Sequence, residues 1–335
     1  MELKSVMRPI IGKGLMSLLL VIGCLSCSTI FTDQSDCPRG VSLSFIYDYN
    51  MEFSNSFHKK VHCLSVYVFD ENGNYVGTYE EESEILKDES YRMALDLNEG
   101  SYTLIAYGGL ACDESSFTTT SFGTGGGSRI NDMQVKLNCD DSVSDESLHS
   151  LFYGMLELTI GEDEFVEDTV YLKKNTNNIR IVLQQTDGRK MSSDDFTFAI
   201  TDDNALMDVQ NSVIPSGTVT YRPYASGQAV VGLEEEGETE ISVVYSELST
   251  ARLTLGTSPK LIVKNAGTGE DIINIPLNNY LLLLRSALYE DMPAQEFLDR
   301  QSEWSMVFLL DPGLRWVNTR IIVNDWVVRL NNAEL

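Results

Sequence analysis

VHCLSVYVFDENGNYV, Val61 to Val76, decides the fold. Val61 to Phe69 is rich in β-branched and aromatic side chains, which are stiff at χ1 and pack well on a pleated surface. Asp70-Glu71-Asn72-Gly73-Asn74 is turn chemistry: glycine and asparagine accept positive φ, and aspartate bonds the backbone that follows it. Tyr75-Val76 resumes the strand pattern, so the stretch predicts a β-hairpin.

The same period of two recurs outward from this hairpin. Val41, Leu43, Phe45 and Tyr47 alternate with Ser42, Ser44 and Asp48, and Tyr91, Met93, Leu95 and Leu97 alternate as cleanly. Asn98-Glu99-Gly100 turns into a strand from Ser101 to Tyr107. After an irregular stretch at 139–150, strands are predicted at Val170 to Leu172, Ile179 to Leu183, Phe196 to Ile200, Val219 to Tyr221 and Ile241 to Tyr245. Further strands are predicted at Arg252 to Leu255, Leu261 to Lys264, Ile272 to Ile275, Met306 to Leu310 and Thr319 to Leu330. Helix is expected at Pro293 to Arg300 (PAQEFLDR), with proline early, where its missing N–H is harmless. Ser115 to Ser128, rich in Ser, Thr and Gly, is expected to be a loop. Short strands at this spacing predict an all-β chain of sandwich type. A length of 335 residues favours two domains. Lys173 to Asn178 (KKNTNN) is polar and patternless. It marks the expected boundary between a first β-sandwich at 41–174 and a second at 175–335.

The N-terminus reads differently. Lys4, Arg8 and Lys13 make a basic head, and Leu15 to Ile22 (LMSLLLVI) is an apolar run well short of the ~20 residues that span a bilayer. Basic head, apolar core and small residues before a cysteine read as a secretory lipoprotein signal over 1–26. Cys27 is the expected lipid attachment, with Cys24 as the alternative. Val21-Ile22-Gly23 gives Cys24 the better local match. Processing at Cys27, however, leaves an even set in an oxidising compartment: Cys37, Cys63, Cys112 and Cys139. Three pairings of those four are open. Residues 27–40 carry the anchor and a tether, of which 28–36 (STIFTDQSD) reaches roughly 30 Å at about 3.4 Å per residue. Leu281 to Leu284 is stopped by Arg285, so no later segment is expected to cross a membrane.

The formal net charge of −26 excludes a phosphate-backbone partner, which needs clustered Lys and Arg. It also disfavours a chain lying flat on an anionic membrane. Neither nucleic acid nor a small-molecule substrate is expected.

Each chemistry-bearing pattern has a plainer reading. His58 and His62 lie four apart beside Cys63, a zinc spacing on a helix, but here they enter a strand run with no further ligand nearby. Asp70, Asn72, Asn74 and Glu81 fit positions 1, 3, 5 and 12 of a calcium-loop count, yet Tyr75 stands where glycine is needed. Asp140-Asp141, Asp194-Asp195 and Asp202-Asp203 would form a glycosidase pair only if folding aligned them. Gly123 to Gly127 (GTGGG) lacks the Lys-Ser/Thr of a phosphate loop. Trp304, Trp316 and Trp326 would make a sugar platform if exposed, but aromatics in strands are usually core. No catalytic residue, metal site or cofactor is expected, and the chain is read as a non-enzyme.

Several stretches carry a resemblance. Cys27 to Pro38 (CSTIFTDQSDCP) is a cysteine followed ten residues on by Cys-Pro. Val41 to Asn50 (VSLSFIYDYN), Val66 to Gly73 (VYVFDENG), Leu151 to Gly154 (LFYG), Leu172 to Ile181 (LKKNTNNIRI), Gln295 to Trp304 (QEFLDRQSEW) and Ile321 to Trp326 (IIVNDW) follow in order. Together they resemble the fimbrillin-associated anchor proteins of Bacteroidales, the FimB/Mfa-type fimbrial subunits. The chain departs from that pattern in its extra Cys24 and in Tyr107-Gly108-Gly109, where members carry an aromatic. The resemblance implies two tandem transthyretin-like β-sandwiches. It implies a lipoprotein that attaches a fimbrium to the outer membrane at its base. Related shaft subunits polymerise by donating a terminal strand, so the implied partner is a shaft subunit bound by strand addition. Thr319 to Leu330 or an exposed sheet edge is then the expected contact. A surface binding lipoprotein, either a tip adhesin or a glycan-binding module, is the alternative.

Overall fold

The computed structural model describes residues 40–110, 112–120, 127–162, 164–231, 241–285, 289–323 and 326–331. The expected leader and tether, with Cys24, Cys27 and Cys37, lie outside them.

Two sheets pack face to face at the N-terminal end. In one, β1 (Gly40–Ile46) runs parallel to β10 (Phe165–Tyr171) and antiparallel to β4 (Met93–Leu95). The other is antiparallel, in the order β11 (Lys173–Lys174), β9 (Phe152–Ile160), β5 (Gly100–Gly108), β2 (Leu64–Asp70) and β3 (Tyr75–Glu81). Alternation directs the packing. Val41, Leu43 and Phe45 of β1 share one apolar cluster with Leu64, Val66 and Val68 of β2 and with Leu104 and Ala106 of β5. Tyr67, Phe69, Ile105, Tyr107 and Tyr153 leave the opposite face and enter a second cluster. The central strand β2 is therefore buried on both faces, which is why it reads as a nearly unbroken apolar run.

A small sheet, β14 (Leu206–Asp208), β7 (Gln134–Leu137) and β6 (Phe117–Thr120), contributes Phe117, Val135, Leu137 and Met207 to that second cluster. The other described strands form a second sandwich. Its six-stranded sheet runs β16 (Ala225–Val231), β17 (Ile241–Ala251), β12 (Thr176–Gln185), β20 (Glu303–Leu310), β21 (Trp316–Val323), β22 (Trp326–Asn331), with β12 and β20 parallel. Its five-stranded sheet runs β19 (Asp271–Pro276), β18 (Lys260–Asn265), β13 (Phe196–Asp202), β15 (Val219–Tyr221), β8 (Val143–Ser144). Ile179, Ile181, Leu183, Met306 and Phe308 share the cluster with Phe198, Ile200, Leu261 and Val263. Tyr67, Tyr107 and Tyr153 belong to it too, so one apolar core runs continuously from the first sandwich into the second. β7 and β8 precede the expected boundary but pair with β14 and β15, which follow it.

Several local expectations need correcting. The stretch 173–178 is strand except at Asn175. Asn175, Thr176 and Asn177 are buried there, and the amides of Asn175 and Asn177 hydrogen-bond within the core. Arg252 to Leu255 is not a strand. β17 instead extends to Ala251, and Arg252 turns to meet Asp299. Thr319 to Leu330 is a hairpin, β21 and β22, not one strand. Within the expected loop at 115–128, Phe117–Thr120 is a strand anchored by the buried Phe117. The strand expected from Val61 begins at Leu64, because the short helix α1 (Phe57–Lys60) precedes it and holds His58. A second helix, α2 (Leu277–Leu283), went unpredicted, although Leu277, Tyr280 and Leu281 bury a helical i, i+3, i+4 face. The third, α3 (Ala294–Arg300), lies where expected.

Candidate assembly surfaces and the junction that orients them

The sequence candidates disperse. Cys63 and Cys112 form a disulfide with Cα atoms 5.7 Å apart. Cys139 is half-buried and has no disulfide partner among the described residues. The lipid candidates Cys27 and Cys24 lie outside the described residues, as does Cys37. His58 Nε2 sits 3.2 Å from Glu89, and no group of three or more His, Cys, Asp or Glu is placed for a metal among the described residues. Asp70 closes its hairpin turn: Oδ2 accepts from Asn74 Nδ2 at 3.0 Å, and Oδ1 accepts from the N–H groups of Asn74 and Asn72. Those bonds, Asn74's first, hold the Asp70 carboxyl below its usual range.

The acidic pairs do not converge on a common point. Asp195 caps a turn at Ser192. Asp203 Oδ1 accepts from the N–H groups of Ser216 and Gly217 at 2.7 and 3.0 Å. Asp202 is buried and accepts from the Thr257 hydroxyl at 3.1 Å, and burial pushes its carboxyl up to about 6. Trp304 offers no ring to a sugar. It is buried, and its Nε1 donates to Asn177 Oδ1 at 3.2 Å. Trp316 is half-buried against Tyr280 and Phe308. The Trp326 side chain lies outside what is described. Glu114, Asp140, Asp145, Glu146, Cys139 and His149 line an acidic cavity of about 520 Å³.

The polar chemistry the sequence did not disclose lies at the junction of the two sandwiches. Asn175, between β11 and β12, pairs with Asn211, whose backbone is left-handed at φ 63°. Asn211's carbonyl accepts from Arg252, and Arg252 forms a two-pronged ion pair with Asp299 of α3 at 2.8 Å for each arm. Tyr153 of the first sandwich donates to the Val209 carbonyl at 2.7 Å. Outside this network, Arg300 Nη1 donates to the carbonyls of Asp48 and Asn50, which follow β1, and its guanidinium stacks on Tyr49 at 4.0 Å. Lys174 Nζ sits 3.3 Å from Glu303, and burial pulls its ammonium below the ordinary lysine range. One signal was available in the sequence: Asn177 has the strand parity of Ile179 and Ile181, and parity predicts burial.

This junction sets the polarity of the molecule. β1 starts at Gly40 beside Phe165, at the end away from the second sandwich, and runs towards the Arg300 contact. The edges left at the other end include β16 and the terminal β22 of the six-stranded sheet. No helix among the described residues is long and apolar enough to cross a membrane.

Comparison places this architecture among known proteins. The family model described as fimbrillin-A associated anchor proteins Mfa1 and Mfa2 matches residues 34–332. A crystal structure of a candidate adhesin from Bacteroides thetaiotaomicron is 51% identical, with a TM-score of 0.82 over 89% of this chain and 100% of that one. A candidate polysaccharide-binding protein from the same species is 28% identical, with a TM-score of 0.75 over 88% and 99% of the two chains. The fimbrial anchor protein Mfa2 from Porphyromonas gingivalis shares the fold at 18% identity, with a TM-score of 0.65 over 88% and 99%. No curated protein matches the chain. With every described residue inside one family match, this protein belongs to the fimbrillin-A associated anchor proteins, the Mfa1 and Mfa2 family, and is a fimbrium-associated protein of the cell surface.

Proposed function

We propose that this chain is a lipoprotein of the outer membrane that holds the base of a fimbrium through strand-type contacts with a shaft subunit. The observation that carries the reading is the polarity of β1. Gly40, the first described residue, stands at the end of β1 opposite the contact with Arg300 of the second sandwich. A tether from an acylated Cys27, or from Cys24, would therefore leave the second sandwich facing outward. In this reading residues 1–26 are a leader, 27–40 the anchor and tether, 41–174 the first sandwich and 175–335 the second. The continuous core, with the Tyr153–Val209 and Arg300–Asp48 hydrogen bonds that cross between the sandwiches, suits a mechanical link, because pulling on one sandwich loads the other through these contacts.

The decisive experiment is deletion of the gene. Fimbriae should be shed into the medium and grow long. Retained fimbriae of normal length would sink the anchor reading. Mass spectrometry of the mature N-terminus tests the lipid separately: an unacylated start removes it. A second reading, a tip adhesin, is favoured by the description of the 51%-identical relative. Immunogold labelling separates the two, since an anchor labels the base of the fimbrium and an adhesin its tip.

A further inference from the structure

A narrow cavity of about 110 Å³ lies on the seam of the two sandwiches. Tyr47, Lys60 and Lys174 line it from the first, and Arg300 and Ser302 from the second. The chain is acidic, with a formal net charge of −26, so a gathering of cations is a local product of the fold. Two lysine pairs distant in sequence meet here: Lys59-Lys60 ends the helix α1, and Lys173-Lys174 is the strand β11. Lys173 Nζ stands 4.7 Å from the centre of the Tyr49 ring, which also carries the Arg300 guanidinium at 4.0 Å.

The positive charges at this seam are only partly answered. Lys174 is 10% exposed, and protein acceptors use two of its three N–H groups: the Ser302 hydroxyl and the Glu303 carboxylate, each at 3.3 Å. Both contacts are long for an ammonium, whose close bonds measure about 2.7–2.9 Å. Glu303 is 64% exposed and also accepts from Asn178 at 3.1 Å, so water weakens its hold on the buried charge. Lys60 is exposed and has no ion pair among the described residues. Burial first, and with it the charge of Lys60, holds the Lys174 ammonium below the ordinary lysine range against the pull of Glu303. Arg300 gives Nε to Glu296 and Nη1 to the carbonyls of Asp48 and Asn50, which leaves Nη2 without a hydrogen bond among the described residues. Glu52, the other carboxylate on the cavity, is exposed to water. Two ammonium groups that repel each other across a small polar cavity are relieved by an anion between them and not by a neutral molecule.

We propose that this seam cavity binds one phosphate-type oxyanion, held by Lys60 and Lys174 of the first sandwich and by Arg300 and Ser302 of the second. Cations disposed around one small cavity match the several oxygens of a phosphate, and a doubly charged group gains more from them than a carboxylate does. The cavity has room for one such group, either a free phosphate or the phosphate of a sugar seated end-on. Bound there, the anion is a removable tie between the two sandwiches.

The test titrates inorganic phosphate into the full-length protein by calorimetry, with ionic strength held constant by sodium chloride. Binding should saturate at one phosphate per chain, and the melting temperature should rise with phosphate concentration as linkage requires. Amide exchange should slow over 47–60 and 300–303. Lys60→Gln should weaken binding about tenfold, because one charge-assisted contact is lost. Lys136→Gln, which removes the same charge from β7, should leave binding unchanged. Both lysines are exposed, so folding is undisturbed. A glucose phosphate that binds more tightly than inorganic phosphate assigns the sugar-borne group, and equal or weaker binding assigns the free ion. No saturation above the chloride background, equal affinity in Lys60→Gln and the wild type, or protection confined to other segments would each overturn the site. None of these results touches the anchor reading, which the gene deletion tests.

Discussion

Asn175 and Asn211 close on each other as a reciprocal amide pair, Nδ2 of Asn175 donating to Oδ1 of Asn211 at 2.6 Å and the reverse bond measuring 3.0 Å. Both side chains are buried. Removing one leaves the other's amide desolvated and unsatisfied, which costs about 1–3 kcal/mol. Asn175→Ala should therefore lower the urea midpoint measurably. Adding Asn211→Ala should lower it by less than the sum of the two singles, because the second change removes an already orphaned group.

Arg252 and Asp299 pose the same question for charge. Their side chains are 14% and 3% exposed. Truncating one partner leaves a buried ion without its mate, and Asp299→Ala should cost about 3–5 kcal/mol. Replacing both, as Arg252→Met with Asp299→Leu, should recover much of that loss. Thermal melts of the single and double variants decide it. A double variant no better than Asp299→Ala would count against the desolvation argument.

Asp202 makes stability depend on pH in an unusual direction. Its folded carboxyl is raised from 3.8 to about 6, so between those values the folded chain binds more protons than the unfolded one. Stability from this group is fully present below the unfolded value and is lost as pH rises through the folded one. At pH 7.5 the ionised, buried carboxylate is a net burden of about 2–3 kcal/mol, from roughly 1.4 kcal/mol per unit of displacement. Asp202→Asn should raise the melting temperature at pH 7.5 and change it little at pH 4. An equal gain at both pH values would refute the assignment.

The Cys63–Cys112 bridge closes a loop with a sequence separation of 49. Chain-entropy arithmetic for a loop of that size gives about 4 kcal/mol. Cys63→Ala with Cys112→Ala should destabilise by up to that amount in denaturant titrations. A reductant should lower the wild-type midpoint by more than it lowers that of the double variant.

Gly109 tests the departure at Tyr107-Gly108-Gly109. Its φ is +86°, and an added Cβ would stand 2.0 Å from the Ser150 carbonyl oxygen. At Gly188, also left-handed at +76°, nothing lies within 4 Å. Gly109→Ala should therefore lose clearly more stability than Gly188→Ala, whose loss is backbone strain alone, about 1 kcal/mol. Equal losses would show that the close approach is relieved by movement of 150–151.

By itself the sequence determined what depends on neighbours along the chain. The period of two, the Asp70–Asn74 turn and the start of α3 beside Pro293 are set by local φ/ψ preference and side-chain direction. So were the acidic balance and the ordered motifs that carried the family resemblance, which the match over 34–332 bears out. Tertiary structure decided what depends on residues distant in sequence. Polar Asn175 and Asn177 are core because partners 36 and 127 positions away meet them. Cys63 took Cys112 because β2 and β5 bring their ends together. Among the described residues β15 pairs β13 only from Ile200 to Asp202, a register that no local pattern announced. A local pattern specifies which face of a strand is apolar, but which strand covers that face follows from the long-range pairing that lowers the free energy of the whole chain.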